Sequence, residues 1–136
     1  MVTIKAWYEV GQRDPEIIDP AHIASFLDKV EAEAREADFP VAANVEMHTG
    51  GQPLVLQFGV RPEVELGFAS IITDRGSFIG TNGTDAANEV MYDYTGSEFP
   101  VEARDEIALA EVRRAVIEFA TNNGNRCEGV LWRELT

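Results

Sequence analysis

The chain has 136 residues, 45% of them hydrophobic, and a formal net charge of −13 from 24 acidic and 11 basic side chains. This size and apolar content predict one ordered globular domain over residues 1–136 and argue against disorder. The negative charge argues against direct binding to nucleic acid or to an anionic membrane, since both need cationic contacts, and it is compatible with a basic partner.

The N-terminal third predicts a strand followed by a helix. Residues Val2–Val10 alternate in the period of a β-strand, with one face formed by Val2, Ile4, Ala6, Tyr8 and Val10. A helix is expected over Asp19–Ala37, because Asp19 is a good N-cap and Pro20 suits the first helical position. Its apolar stripe consists of Ile23, Phe26, Leu27, Val30 and Ala34. Phe39-Pro40 should end the element.

The middle of the chain contains a series of strand patterns separated by glycine-rich or charged turns. The predicted strands are Val41–His48, Pro53–Val60, Val64–Thr73, Ser77–Gly80 and Val90–Thr95. Strands that follow one another this closely along a chain favour an antiparallel meander. Tyr92 and Tyr94 are expected on one face of the last of them.

The C-terminal third predicts a crossing segment, a second helix and a final strand. The helix is expected over roughly Glu106–Thr121, with Gly124 as a left-handed cap, and the strand over Gly129–Leu135. Phe119 and Trp132 are assigned to the core. The order is therefore β-α-β-β-β-β-β-α-β, an α+β fold with two helices against a mostly antiparallel sheet of about six to seven strands.

No pattern of reactive residues indicates catalysis. His22, His48 and the single cysteine, Cys127, form no metal-binding or nucleophile motif, so no catalytic residue, metal or cofactor is predicted. One cysteine excludes an internal disulfide and suits a reducing compartment. The sequence has neither a signal-peptide pattern nor an apolar run of transmembrane length, so a cytoplasmic protein is expected.

Acidic and aromatic residues are interleaved between Pro62 and Ala103. This segment carries −7 of the net charge, with Arg75 as its one base and with the acids Glu63, Glu65, Asp74, Asp85, Glu89, Asp93, Glu98 and Glu102. Two interpretations are open. The segment is a recognition surface for a basic protein, in which carboxylates steer the encounter and aromatic residues anchor it. Alternatively, the aromatic side chains face the core and the acids face water, as in any amphipathic strand.

Two stretches carry a resemblance to a known family. They are "EIALAEVRRAVIEFATNNGNRCEGVLWREL" (Glu106–Leu135) and, upstream, "LQFGVRPEVELGFASIITDRGSFIG". Over roughly Leu54–Leu135 the chain resembles a family of small actinobacterial immunity proteins, the first numbered family of polymorphic-toxin immunity proteins. The resemblance implies a protein that is not an enzyme. Instead it would bind one cognate secreted toxin, often a nucleic-acid deaminase, in the cytoplasm of the producing cell.

An acidic protein can block such a toxin by presenting carboxylates to the cationic groove that binds nucleic acid. The toxin contacts that we predict are Glu63, Glu65, Asp74, Asp85, Tyr92, Asp93 and Glu98. Two alternatives stay open: a small enzyme or ligand-binding domain with a pocket between helix and sheet, and an acidic adaptor or chaperone for another basic protein. The sequence does not predict the oligomeric state.

Overall fold

A computed structural model of the protein describes residues 3–9, 11–73 and 76–135. Within these residues the helices are α1 (Ile23–Ala37) and α2 (Leu109–Thr121). The strands are β1 (Thr3–Trp7), β2 (Glu16–Ile18), β3 (Val41–His48), β4 (Leu54–Arg61), β5 (Leu66–Thr73), β6 (Gly76–Gly80), β7 (Glu89–Tyr94), β8 (Ser97–Glu102), β9 (Ile107–Ala108) and β10 (Trp132–Leu135). The α+β class and the mostly antiparallel sheet are as predicted.

The central sheet has the strand order β10-β6-β5-β4-β3-β1-β2, and all of these neighbours are antiparallel. The predicted meander is confirmed in β3 to β6. Both helices pack on one face of this sheet, and the apolar stripe of α1 is buried there along its whole length. Phe119 is part of this core, and Trp132 packs at its edge while its indole nitrogen donates to the carbonyl of Cys127 at 2.9 Å.

A hairpin of β7 and β8 covers part of the opposite face of the sheet. It encloses a second, smaller core formed by Ala42, Phe68, Ile79, Tyr92 and Val101. The rings of Phe68 and Tyr92 meet edge to face at a centroid distance of 5.0 Å, directly over Gly59. A β-carbon at Gly59 would lie 2.4 Å from the Phe68 ring, so only glycine leaves room for this packing.

Two buried carboxylates join the hairpin to the sheet through charged and polar partners. The Tyr92 hydroxyl donates to Glu106 at 2.7 Å, and Nε of Arg61 lies 3.4 Å from the same carboxylate oxygen. Next to it, Asp105 accepts two bonds from the guanidinium of Arg133, at 2.8 and 2.6 Å. Burial, and secondly the bond to Glu106, raise the pKa of Tyr92 well above its ordinary value. Buried carboxylates are tolerated here because each has a charged partner.

The largest error of the sequence prediction is the segment after Tyr94, which was expected to cross to the second helix. It forms β8, which pairs with β7 from Glu89↔Glu102 to Tyr94↔Ser97. Thr95 and Gly96 both take positive φ, 49° and 92°, as a two-residue hairpin turn requires. Pro100 weakened the strand pattern, but β8 is an edge strand, where a missing N–H is tolerated.

Several boundaries also differ from the prediction. A 3₁₀ turn at Pro62–Val64 and a left-handed Glu65 delay β5 to Leu66, and β9 delays the second helix to Leu109. The short strand β2 was not predicted, and β10 begins three residues later than expected. The first helix starts with a 3₁₀ turn, in which Asp19 accepts from the backbone of Ala21 as a cap. Val2, Val10 and most of the predicted turn at 74–76 lie outside the described residues.

We expect Gly59→Ala to destabilise the protein by about 2 kcal/mol, because the new methyl group overlaps the rings of Phe68 and Tyr92. Urea unfolding followed by circular dichroism measures the loss. Gly51→Ala is the matched control, because a β-carbon there meets no atom within 4 Å, and it should stay within about 0.5 kcal/mol of the parent. Equal stabilities for the two variants would contradict the packing argument.

We expect Tyr92→Phe to cost about 1–3 kcal/mol at pH 8, because Glu106 loses its buried donor. The raised pKa of Tyr92 also predicts a pH dependence. Above pH 10 the tyrosine loses its proton in the unfolded state and keeps it in the folded state. The free energy of unfolding of the parent therefore falls by about 1.4 kcal/mol per pH unit because of this residue. Urea unfolding at intervals from pH 8 to 11 should therefore show that the difference in free energy of unfolding between parent and variant becomes smaller above pH 10. A constant difference would contradict this assignment.

Candidate partner-binding surface

The β7–β8 hairpin has an outer face that is acidic with an apolar centre. Alternation along the strands turns Tyr92 and Val101 toward the sheet and turns their neighbours outward. The cross-strand pairs on the outer face are Glu89↔Glu102, Met91↔Pro100 and Asp93↔Glu98. Met91 is 46% exposed at the middle of the face. The register thus places a carboxylate pair on each side of an apolar pair.

The two acidic ends of the hairpin differ in their neighbours. At one end, Glu102 forms ion pairs with Arg104 and, at 3.7 Å, with Arg133. At the other end, no ion pair of the described residues involves Asp93 or Glu98. The end of the hairpin nearest its turn therefore carries uncompensated negative charge.

The chain that leaves α1 contacts this end of the hairpin. Asp38 takes a left-handed conformation with φ of 60° and ends the helix, its N–H donating to the carbonyl of Ala34. The chain then extends, and the carbonyl of Pro40 accepts from the backbone N–H of Asp93 at 2.9 Å. Phe39, between them, is left 46% exposed, which is unusual for a phenylalanine beside two packed cores.

Phe39 lies between two shallow grooves. One, of about 190 Å³, is lined by Phe39, Pro40, Met91, Asp93 and Glu98 among others. The other, of about 240 Å³, is lined by Arg35, Asp38, Phe39, Arg61 and Glu63 among others. We call this continuous area the Phe39 surface, and define it by Asp38, Phe39, Glu63, Glu65, Met91, Asp93 and Glu98. Arg35 forms an ion pair with Glu65 at 3.1 Å, and Arg61 points inward to Glu106.

The structure brings four of the seven predicted contacts together on the Phe39 surface: Glu63, Glu65, Asp93 and Glu98. Asp85 is exposed, but it lies in the loop beyond the Glu89–Glu102 end of the hairpin, where Ala86 accepts from the backbone of Arg104. Asp74 lies outside the described residues.

Tyr92 is placed differently from the expectation for a contact residue, because it is only 1% exposed and its hydroxyl is bonded to Glu106. Other aromatic side chains of the acidic segment also pack inward. Phe68 is fully buried, and Phe99 stacks on it at 5.2 Å. Burial, with a smaller effect of Glu46, raises the pKa of Tyr94 on the same inner face. The apolar groups that reach the Phe39 surface are instead Phe39 and Met91.

Sequence reasoning missed Asp38, Phe39 and Met91 as surface candidates. The sequence pattern indicates for Phe39 only the end of a helix, and the outward row of the hairpin includes residues of β8, which the pattern does not predict. One signal was available: Thr95-Gly96 separates "EVMYDY" from "SEFPVE", and a glycine-containing pair between two alternating runs is typical of a hairpin.

A cleft and an open sheet face lie elsewhere on the surface. The cleft has a volume of about 920 Å³, lies at the end of α2 and is lined by Arg114, Glu118, Asn122, Arg126 and Trp132 among others. The sheet face beside the hairpin is partly open, with exposed Ile17 and Ile72 and with Lys5 and Glu46 directly opposite each other. Neither feature shares a residue with the Phe39 surface.

The described residues contain neither a metal-binding cluster nor a membrane-spanning helix. Among residues 3–9, 11–73 and 76–135, no three His, Cys, Asp or Glu side chains are grouped so that they could hold a metal ion. Neither helix in the described part of the chain is long and apolar enough to cross a membrane.

Comparison with known proteins identifies the family. The family model described as "Immunity protein Imm1" matches residues 12–134. The match includes the whole Phe39 surface and also β2, α1 and β3, which the sequence resemblance did not cover. No curated protein matches the chain significantly. Because the family model covers most of the chain, the protein belongs to the Imm1 family of immunity proteins.

Proposed function

We propose that this protein neutralises one cognate toxin by binding it through the Phe39 surface and occluding its active site. Membership of the immunity family supports a toxin as the partner. The observation that carries the choice of surface is the uncompensated pair Asp93 and Glu98 beside exposed Phe39 and Met91. Charged groups around a central apolar anchor are the usual arrangement of a protein–protein interface.

The toxin that suits this surface is a basic one. A net charge of −13 attracts a cationic partner over distances of about the Debye length, roughly 8–10 Å at physiological salt. An enzyme acting on nucleic acid needs a cationic groove for phosphates, and carboxylates can occupy that groove in their place. We therefore infer a nucleic-acid-targeting toxin. The deaminase type, the polymorphic toxin system, the actinobacterial host and inhibition in the cytoplasm are added to the proposal because the family resemblance implies them. Inhibition would need no catalysis by the immunity protein.

Each residue has a distinct role in this proposal. Glu63, Glu65, Asp93 and Glu98 supply charge at the contact, and Phe39 and Met91 supply apolar area. Tyr92 supports the hairpin from beneath through Glu106. Asp85 and Asp74 contribute to the long-range attraction in our proposal. Electrostatic attraction would then set the association rate, and the apolar centre would slow dissociation.

We expect co-expression of this protein to protect cells from the toxin encoded beside its gene. With purified proteins, the association rate constant should fall at least ~10-fold between 50 and 500 mM NaCl, because salt screens the attraction between opposite charges. Growth assays and stopped-flow measurements test the two statements. Failure of the intact chain to protect or to bind would contradict the proposed function.

We expect the double variant Glu63→Lys/Asp93→Lys to bind the cognate toxin about 100-fold more weakly, because it reverses two of the negative charges on the Phe39 surface. Titration calorimetry measures the affinity, and circular dichroism checks that the variant is folded. The matched control is Glu33→Lys/Glu128→Lys, which changes the net charge equally at exposed positions on α1 and after α2. Equal losses in the two double variants would mean that net charge matters and this surface does not.

A further inference from the structure

The turn end of the hairpin places two carboxylates directly opposite each other. Asp93 and Glu98 are cross-strand partners, so their β-carbons lie about 4.5–5.5 Å apart. Like charges in this position are destabilising. The equivalent pair at the other end is partly neutralised, because Glu102 is bonded to Arg104 and approached by Arg133. At the turn end, Asp93 and Glu98 form no ion pair with any described residue.

The charge on this face matches a cation that the described residues of the free protein do not supply. A guanidinium has five N–H donors in a plane and can bond two neighbouring carboxylates at once, whereas a lysine ammonium is a compact, strongly hydrated charge. Two carboxylates on adjacent strands therefore suit an arginine side chain.

The groove next to the pair matches an apolar group. Its walls are Phe39, Pro40 and Met91, and its volume of about 190 Å³ has room for one large aliphatic or aromatic side chain. Phe39 and Met91 are each 46% exposed, so covering them would remove apolar surface from water. The carboxylate pair forms one wall of the same groove, because Asp93 and Glu98 also line it.

We propose that this groove is the central docking point for the toxin, and that it takes one toxin arginine on the Asp93–Glu98 pair with an adjoining apolar toxin side chain against Phe39 and Met91. This inference rests on the proposed function and specifies the chemistry of the partner at that surface. The Glu63–Glu65 side is secondary, because Glu65 is already paired with Arg35. The repulsion between Asp93 and Glu98 in the free protein is relieved when the arginine binds.

The test uses opposite effects on stability and on binding. Glu98→Gln removes the repulsion but keeps the shape of the side chain, so the free protein should melt about 1–4 °C higher at low ionic strength. The same variant should bind the cognate toxin ~10-fold or more weakly, because the arginine loses a charged acceptor. Asp93→Asn should behave in the same way. A residue that only supports the fold would not raise the melting temperature while weakening binding.

The control variant is Glu33→Gln, which removes an exposed acid from α1, away from the hairpin, and should change neither quantity. Replacing each toxin arginine with alanine in turn, in combination with Glu98→Gln, should find one arginine whose loss is no longer additive, with a coupling of ~10-fold or more.

The outcomes separate the two levels of the proposal. If the parent chain binds the toxin but both hairpin variants bind within about threefold of it, the arginine site is wrong and the proposed function stands. Additive losses at every toxin arginine, or a lower melting temperature in both variants, would also overturn the site. If the parent chain does not bind the toxin, the proposed function itself fails.

Discussion

The docking of the β7–β8 hairpin on the sheet is the interaction on which the Phe39 surface depends. Phe68 and Tyr92 pack over Gly59, and the Tyr92 hydroxyl reaches Glu106 at the bottom of the contact. The small second core holds the hairpin against β3, where Asp93 is bonded to Pro40. Without this docking, the outward carboxylates would not lie beside the end of α1.

The two faces of the hairpin have different tasks because strand side chains alternate. The inner face is aromatic and buried, and it supplies the stability of the second core. The outer face carries the carboxylate pairs, which make the pairing of β7 and β8 less stable than neutral side chains would. A protein that keeps an unfavourable arrangement on an exposed face, beside exposed apolar groups, fits a surface adapted to a partner.

Charge has two separate effects in this protein. Inside, Asp105 and Glu106 are buried but paired with Arg133, Arg61 and Tyr92, so they contribute to holding the hairpin in place. Outside, the acids near the hairpin turn lack such partners among the described residues. Exposed acids of this kind can act on a basic protein at a distance, whereas the buried pairs cannot because they are neutralised locally.

The sequence by itself determined the class of the fold, the meander from β3 to β6 and the buried stripe of α1. These features follow from hydrophobic periodicity, which is a local property of the chain. It did not determine β8, because Pro100 and the polar composition of that segment resemble a loop, and an edge strand is stabilised mainly by its pairing and packing. The aromatic side chains of the acidic segment alternate in the sequence, but only the tertiary structure decided that Phe68 and Tyr92 are buried and that Phe39 is exposed. The Phe39 surface combines residues from the segment that follows α1, the turn before β5 and the hairpin. Contacts between elements so far apart in the chain depend on the packing of the sheet, which local patterns do not encode.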